Sequence, residues 1–236
     1  LHKEYRRQRQ MCIRDRFNAT LILSGTAFIL CSVVGVLIGT ISAFKQYTIT
    51  DKIITFTVLT GISLPSFFLG MMMILLFAVN LQWLPVSGMY AIYGGGDFLD
   101  LIHHLIMPAI ALALVATGVV ARITRNSVLE ILRQDYIRTA RAKGVREGNV
   151  LFKHVLRIAI VTILPILGLQ AGFVLSGSVF IEIVFQWPGV GRMLVDAILK
   201  RDILLVQGGV MFVAACYVLF NIAVDLLQRY LDPRIK

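Results

Sequence analysis

Side chains able to do chemistry are few in this chain and widely scattered. His103 and His104 could begin a metal site. Adjacent residues on a helix point in different directions, however, and no third ligand stands near them. Ser63 and Ser66 are possible nucleophiles for an intramembrane hydrolase, yet neither lies in a recognisable nucleophile motif. Cys12, Cys31 and Cys216 share no metal-binding spacing, and two of them fall in apolar runs where a thiol packs as a small hydrophobe. Asp225 stands four residues before Arg229, the spacing of a helical ion pair. No Gly-x-x-x-x-Gly-Lys phosphate loop occurs, so nucleotide chemistry is expected on other chains. These residues predict no catalytic group, no metal and no cofactor bound by this chain.

The apolar runs that carry these residues define the class. The chain has 236 residues, of which 58% are hydrophobic and only 15% charged, and its mean hydropathy is +0.81. Soluble domains carry about a quarter charged residues, so lipid is the expected solvent. A helix crosses the bilayer core with about 20 apolar residues. Five stretches reach that length, predicting spans over about 17–44, 53–79, 101–121, 158–181 and 203–228. The expected fold is therefore an all-α, polytopic transmembrane helix bundle. Pro65 interrupts the second span between Ser63 and Ser66. Gly35 and Gly39, and likewise Gly168 and Gly172, are spaced to let helix backbones approach closely. An ion-coupled secondary transporter is a competing reading, but ionisable groups are missing from the centres of all five spans.

Charge sets the orientation. The segment between the third and fourth spans holds Arg122, Arg125, Arg133, Arg138, Arg141, Lys143, Arg146, Lys153 and Arg157, which places it inside. Alternation then gives fourteen basic residues inside against three outside, Arg192, Lys200 and Arg201. The net charge of +10 is thus a matter of topology and not of nucleic-acid binding. Residues 1–16 break the pattern, since Lys3, Arg6, Arg7, Arg9, Arg14 and Arg16 would lie outside. Met11 to Arg16 resembles a translated sequencing adapter, and the chain opens on Leu1. The expectation is that residues 1–16 are non-native and that authentic sequence starts near Phe17.

The inner segment 122–157 is too long for a simple turn. Leu129, Leu132, Tyr136 and Ala140 recur at helical spacing and predict a narrow apolar stripe, with Gly144 as the stop. A second short run leads from Asn149 through Leu156 into the fourth span. Such a helix can lie on headgroups or dock on a cytoplasmic partner.

Arg138-Thr-Ala-Arg-Ala-Lys-Gly144 resembles the "EAA" coupling motif of permease subunits in binding-protein-dependent ABC importers. Ala140, Gly144 and Leu156 match the general pattern, while Arg138, Thr139, His154 and Arg157 depart from it. Gly61-Ile-Ser-Leu-Pro-Ser-Phe-Phe-Leu-Gly70, Trp83-Leu-Pro-Val-Ser-Gly88, Phe185-Gln-Trp-Pro-Gly-Val-Gly-Arg192 and Leu231-Asp-Pro-Arg-Ile235 are similar to the dipeptide, oligopeptide and nickel branch of that family. The resemblance implies a subunit of an ATP-driven importer in the bacterial plasma membrane, with dipeptides or oligopeptides as cargo. It implies as partners a second permease subunit, two cytoplasmic ATPase subunits that hold ATP and Mg, and an external substrate-binding protein. It also implies six spans, of which the first is missing here. Arg138, Thr139, Ala140, Arg141, Ala142, Lys143, Gly144 and Leu156 would form the ATPase-coupling region.

On the outer side, Glu182, Trp187, Pro188, Gly189 and Arg192 are candidates for a gate, followed by the amphipathic Met193, Leu194 and Ile198. The alternative is an interfacial loop anchored at the headgroups by Trp187.

Overall fold

In lipid each backbone N–H and C=O must be satisfied within its own segment, which leaves helices as the economical solution for an apolar chain. The computed structural model describes residues 2–91 and 94–231, with side chains from Asp15 onward except those of 225, 227, 228, 230 and 231. Helices and their connections make up the described residues, and no β-strand occurs among them. The expected Asp225–Arg229 pair lies outside the described side chains.

Helix α1 (His2–Phe44) passes through position 16 without a break. A tight turn follows, and Thr48 caps α2 (Ile49–Ser63) by accepting the Asp51 N–H on its hydroxyl. Leu64 and Pro65 are then both extended, with φ/ψ of −96°/133° and −63°/139°. The chain resumes as α3 (Ser66–Met73), which continues as a π-helical turn over Ile74–Asn80. The two halves meet at 103°. The expected second span is therefore broken outright, because Pro65 lacks an N–H and its ring pushes Leu64 out of the helical region. Thr57, Thr60 and Ser63 donate their hydroxyls to the carbonyls of Ile53, Phe56 and Leu59, keeping these polar groups satisfied along α2.

Helix α4 (Phe98–Leu132) runs for 35 residues and is the centre of the bundle. Its most apolar stretch is 67% buried, against 6% for the last helix, so the other helices are arranged around it. It does not stop at the membrane edge near residue 121 but carries on inward to Leu132. Then come α5 (Asp135–Ala142), the short α6 (Glu147–Asn149) and a π-helical stretch, Val150–Leu156. That stretch leads directly into α7 (Arg157–Val184), which is followed by α8 (Val190–Leu199) and α9 (Ile203–Leu231). Among the described residues, four helices are long and apolar enough to cross a membrane, or five if the bent α2–α3 pair is one span.

The α1–α4 contact is the most extensive in the molecule. A side chain at Gly39 would collide with the Ala121 carbonyl oxygen and reach 2.7 Å from Thr124 Cβ, so the two backbones close to a distance that only glycine permits. Two apolar cores result. The outer one gathers Leu23, Ala27, Met107, Leu112, Ile181, Phe185 and Trp187. The inner one gathers Ala43, Val128, Ile131, Ile137, Val150 and Val155.

Candidate functional site

At the inner end, the chain turns at Arg133 and Gln134 before α5 begins. Among the side chains of α5 only Ile137 is fully buried, seated in the inner core beside Val128, Val150 and Val155. Tyr136 is 41% exposed and Ala140 only half-buried. The predicted stripe through Leu129, Leu132, Tyr136 and Ala140 is thus corrected: the turn resets the helical register, and Ile137 becomes the anchor. Arg138, Thr139, Arg141, Ala142, Lys143 and Gly144 all face outward, while Leu156 is half-buried in the π-helical stretch.

Gly144 ends α5 with φ of +77°, a left-handed conformation that a side chain would strain. Its N–H donates to Arg141 O at 2.9 Å, and Val145 N–H donates to Ala140 O at 3.2 Å. The Arg141 guanidinium grips Glu147 with both prongs, Nε to Oε1 at 2.8 Å and Nη2 to Oε2 at 3.1 Å, folding the chain back after the helix. The result is a short cationic knob of low bulk, held to the bundle by one apolar side chain. It carries no arrangement for bond-making chemistry.

At the outer end, Glu182 is fully buried. Its carboxylate accepts from Thr20 Oγ1 at 2.7 Å and from the Arg192 N–H at 3.0 Å, with Ser178 Oγ at 3.5 Å. Thr20 Oγ1 in turn accepts the Val190 N–H at 2.8 Å. These N–H groups are the unpaired donors of the first turn of α8, so a carboxylate from α7 and a hydroxyl from α1 together cap that helix. Gly189 must be small, because a side chain there would strike the Glu182 carboxylate. Trp187 is also fully buried, and its Nε1–H donates to Ala19 O at 2.8 Å. The reading of Trp187 as a headgroup anchor is therefore corrected. Arg192 Nη1 donates to Gln186 O at 2.8 Å, and the Gly88 N–H donates to Phe185 O at 2.8 Å, tying the outer loop to the same assembly. In α8 it is Met193 and Ala197 that face inward, while Ile198 is 58% exposed. Pro188 is half-buried at the turn.

The adjacent histidines have separate tasks. His103 Nε2 shares a hydrogen bond with Trp83 O at 3.1 Å, and His104 Nδ1 lies 2.9 Å from Asp100 O. Among the described residues no group of three or more His, Cys, Asp or Glu is placed to hold a metal.

One polar cluster escaped the reading of the sequence. Arg125 of α4 clasps Asp51 of α2, Nε to Oδ1 at 3.0 Å and Nη2 to Oδ2 at 2.9 Å. Ser42 of α1 donates to Asp51 Oδ1 and accepts from Arg125 Nε at 3.1 Å, and the Tyr47 N–H donates to Asp51 Oδ2 at 3.1 Å. The residues are separated by up to 83 positions; Arg125 stood as one of many inner cations, and no local pattern singled out Asp51.

Residues 35–236 match the family described as the binding-protein-dependent transport system inner membrane component, and the chain belongs to that family. It is a multi-pass permease subunit of an ATP-driven importer of the inner membrane. The chain is 42% identical to the di/tripeptide transport system permease protein DppB of Pseudomonas aeruginosa, covering 93% of this chain and 71% of that protein. It is 41% identical to the dipeptide transport system permease protein DppB of Escherichia coli (94% and 71%) and 39% identical to the oligopeptide transport system permease protein AppB of Bacillus subtilis (95% and 71%). Its fold is similar to that of the inward-facing MetNI methionine ABC transporter, with a TM-score of 0.75 at 16% identity over 94% of this chain and 97% of that one.

Proposed function

We propose that this permease subunit passes dipeptides or oligopeptides inward, working with a second permease subunit, two ATPase subunits on the inner face and an external binding protein. The observation that carries the cargo is the 42% identity to a di/tripeptide permease over 93% of the chain. The α5 knob, with Arg138, Thr139, Arg141, Ala142, Lys143 and Gly144 presented outward, is the surface that takes up the ATPase stroke. A rigid short helix suits this role, since closure of the ATPases must push on something that transmits force to α4. ATP and Mg stay on the ATPase chains. The Glu182–Thr20–Trp187 assembly is the outer gate, where α8 is held across the top of α1 and α7.

The test is uptake. Expressed with its neighbouring ATPase, permease and binding-protein genes, the chain is expected to restore growth on dialanine as sole alanine source to an auxotroph lacking its own peptide permeases. Failure on dipeptides and tripeptides, together with ATP-driven uptake of a nickel chelate, would replace peptide by chelate as the cargo.

A further inference from the structure

The coupling surface and the broken span lie on different helices, and one polar joint connects them. Helix α5 bears on the inner core through Ile137, which shares that core with Val128 and Ile131 of α4. Arg125 lies less than one turn of α4 before Val128, on the membrane side. Its guanidinium closes both prongs on Asp51, in the first turn of α2. Helix α2 then runs without interruption to the break at Leu64 and Pro65. We infer that the Asp51–Arg125 pair is a positioning joint that passes the movement of α5 and α4 to α2 and so to the break in the second span. The inference rests on α5 being the ATPase-coupling surface.

Three observations distinguish this joint from an ordinary surface ion pair. Asp51 is only 5% exposed, and each of its oxygens is doubly engaged, by Arg125 and Ser42 on one side and by Arg125 and the Tyr47 N–H on the other. A paired charge so enclosed and so fully hydrogen-bonded holds one geometry, because opening it would strand a desolvated carboxylate. Tyr47 adopts φ of +67°, a conformation uncommon for a side chain of its size, and the carboxylate holds its N–H in place. Between α1, α2 and α4 there is also a cavity of about 300 Å³, lined by Gly39, Ser42, Thr55, Val58 and Arg125 among others. Farther along, α2 meets α4 again: a side chain at Gly118 would collide with Ile62 and come 3.1 Å from the Val58 carbonyl oxygen. A helix clasped at its start and packed close near its end follows α4 as one body, which is what transmission to a distant break requires.

The test uses the complete importer in proteoliposomes, with ATP hydrolysis and ATP-driven uptake of radiolabelled dialanine measured per assembled complex. Asp51→Asn and Arg125→Gln are expected to hydrolyse ATP at no less than half the wild-type rate while uptake falls at least tenfold. Arg125→Lys keeps the charge but cannot span both oxygens, and is expected to fall between them and wild type. Ala140→Glu, on the α5 surface, is measured alongside. If it uncouples hydrolysis from uptake while Asp51→Asn transports within twofold of wild type, the joint is wrong and the coupling surface stands. If Ala140→Glu itself transports normally, the coupling reading fails first. Uptake and hydrolysis that fall together in Asp51→Asn would assign the pair a purely structural role and overturn the proposal. Should the single variants not assemble, the double Asp51→Cys/Arg125→Cys variant bridged by a short bis-thiol reagent decides the matter. Uptake regained on bridging supports a joint that stays closed; uptake that bridging does not restore rules it out.

Discussion

Glu182 shows how one carboxylate can organise an entire end of a membrane protein. It has no cation beside it in its set of hydrogen-bond partners; instead the hydroxyl of Thr20 and the Arg192 N–H in the first turn of α8 satisfy it. Replacing it by Gln puts an amide NH2 where an acceptor is needed, against the Thr20 hydroxyl or the Arg192 N–H. A buried donor left unmatched costs about 1–3 kcal/mol, so Glu182→Gln is expected to lower the thermal stability of the purified complex by several degrees. An unchanged melting temperature would show that the carboxylate is not the cap of α8. The opposite change is expected at Thr124, whose buried hydroxyl finds no partner among the described residues. Thr124→Val removes that unpaired group at nearly constant shape and is expected to stabilise the complex by up to about 1 kcal/mol, read as a rise in the same melting temperature.

Among the elements, α5 is largely exposed and hangs from the bundle by Ile137. Truncation of a buried Ile to Ala costs about 2–5 kcal/mol, and in a helix of eight residues with one anchor that loss detaches the element. Ile137→Ala is expected to accelerate tryptic cleavage after Arg138 and Arg141 and to reduce co-purification of the ATPase subunits, with the membrane helices intact. Equal cleavage of variant and wild type would mean that α5 is held by something other than this side chain. The periodicity of segment 122–157 announced a helix and a glycine stop, and both are present. It misplaced the buried face, because a break of two residues at Arg133 and Gln134 restarts the register and no local signal marked it. The break of the second span was announced by Pro65, but proline fixes only the loss of one hydrogen bond. The 103° turn depends on where α3 finds its packing, against α4 and α7.

For the molecule as a whole, the excess of Lys and Arg on one side predicts a definite orientation. A cysteine introduced at Lys143 is expected to react with an impermeant thiol reagent only from the inner face, and one at the exposed Asp97 only from the outer face, in a background without native cysteines. Labelling of both positions from the same side would invert or break the topology. Length, apolar content and charge placement were enough to establish an all-α, multi-pass membrane protein, since bilayer thickness, backbone satisfaction and the asymmetry of basic residues act on each segment separately. The inner helix α5 could also be located that way, as a local helix with a glycine at its end. What the tertiary structure alone decided are the contacts between distant segments: Thr20 with Glu182, Trp187 with Ala19, and Asp51 with Arg125. Each joins residues 74 or more positions apart, and a hydrogen bond between such residues depends on how helices cross, which no local pattern of residues records.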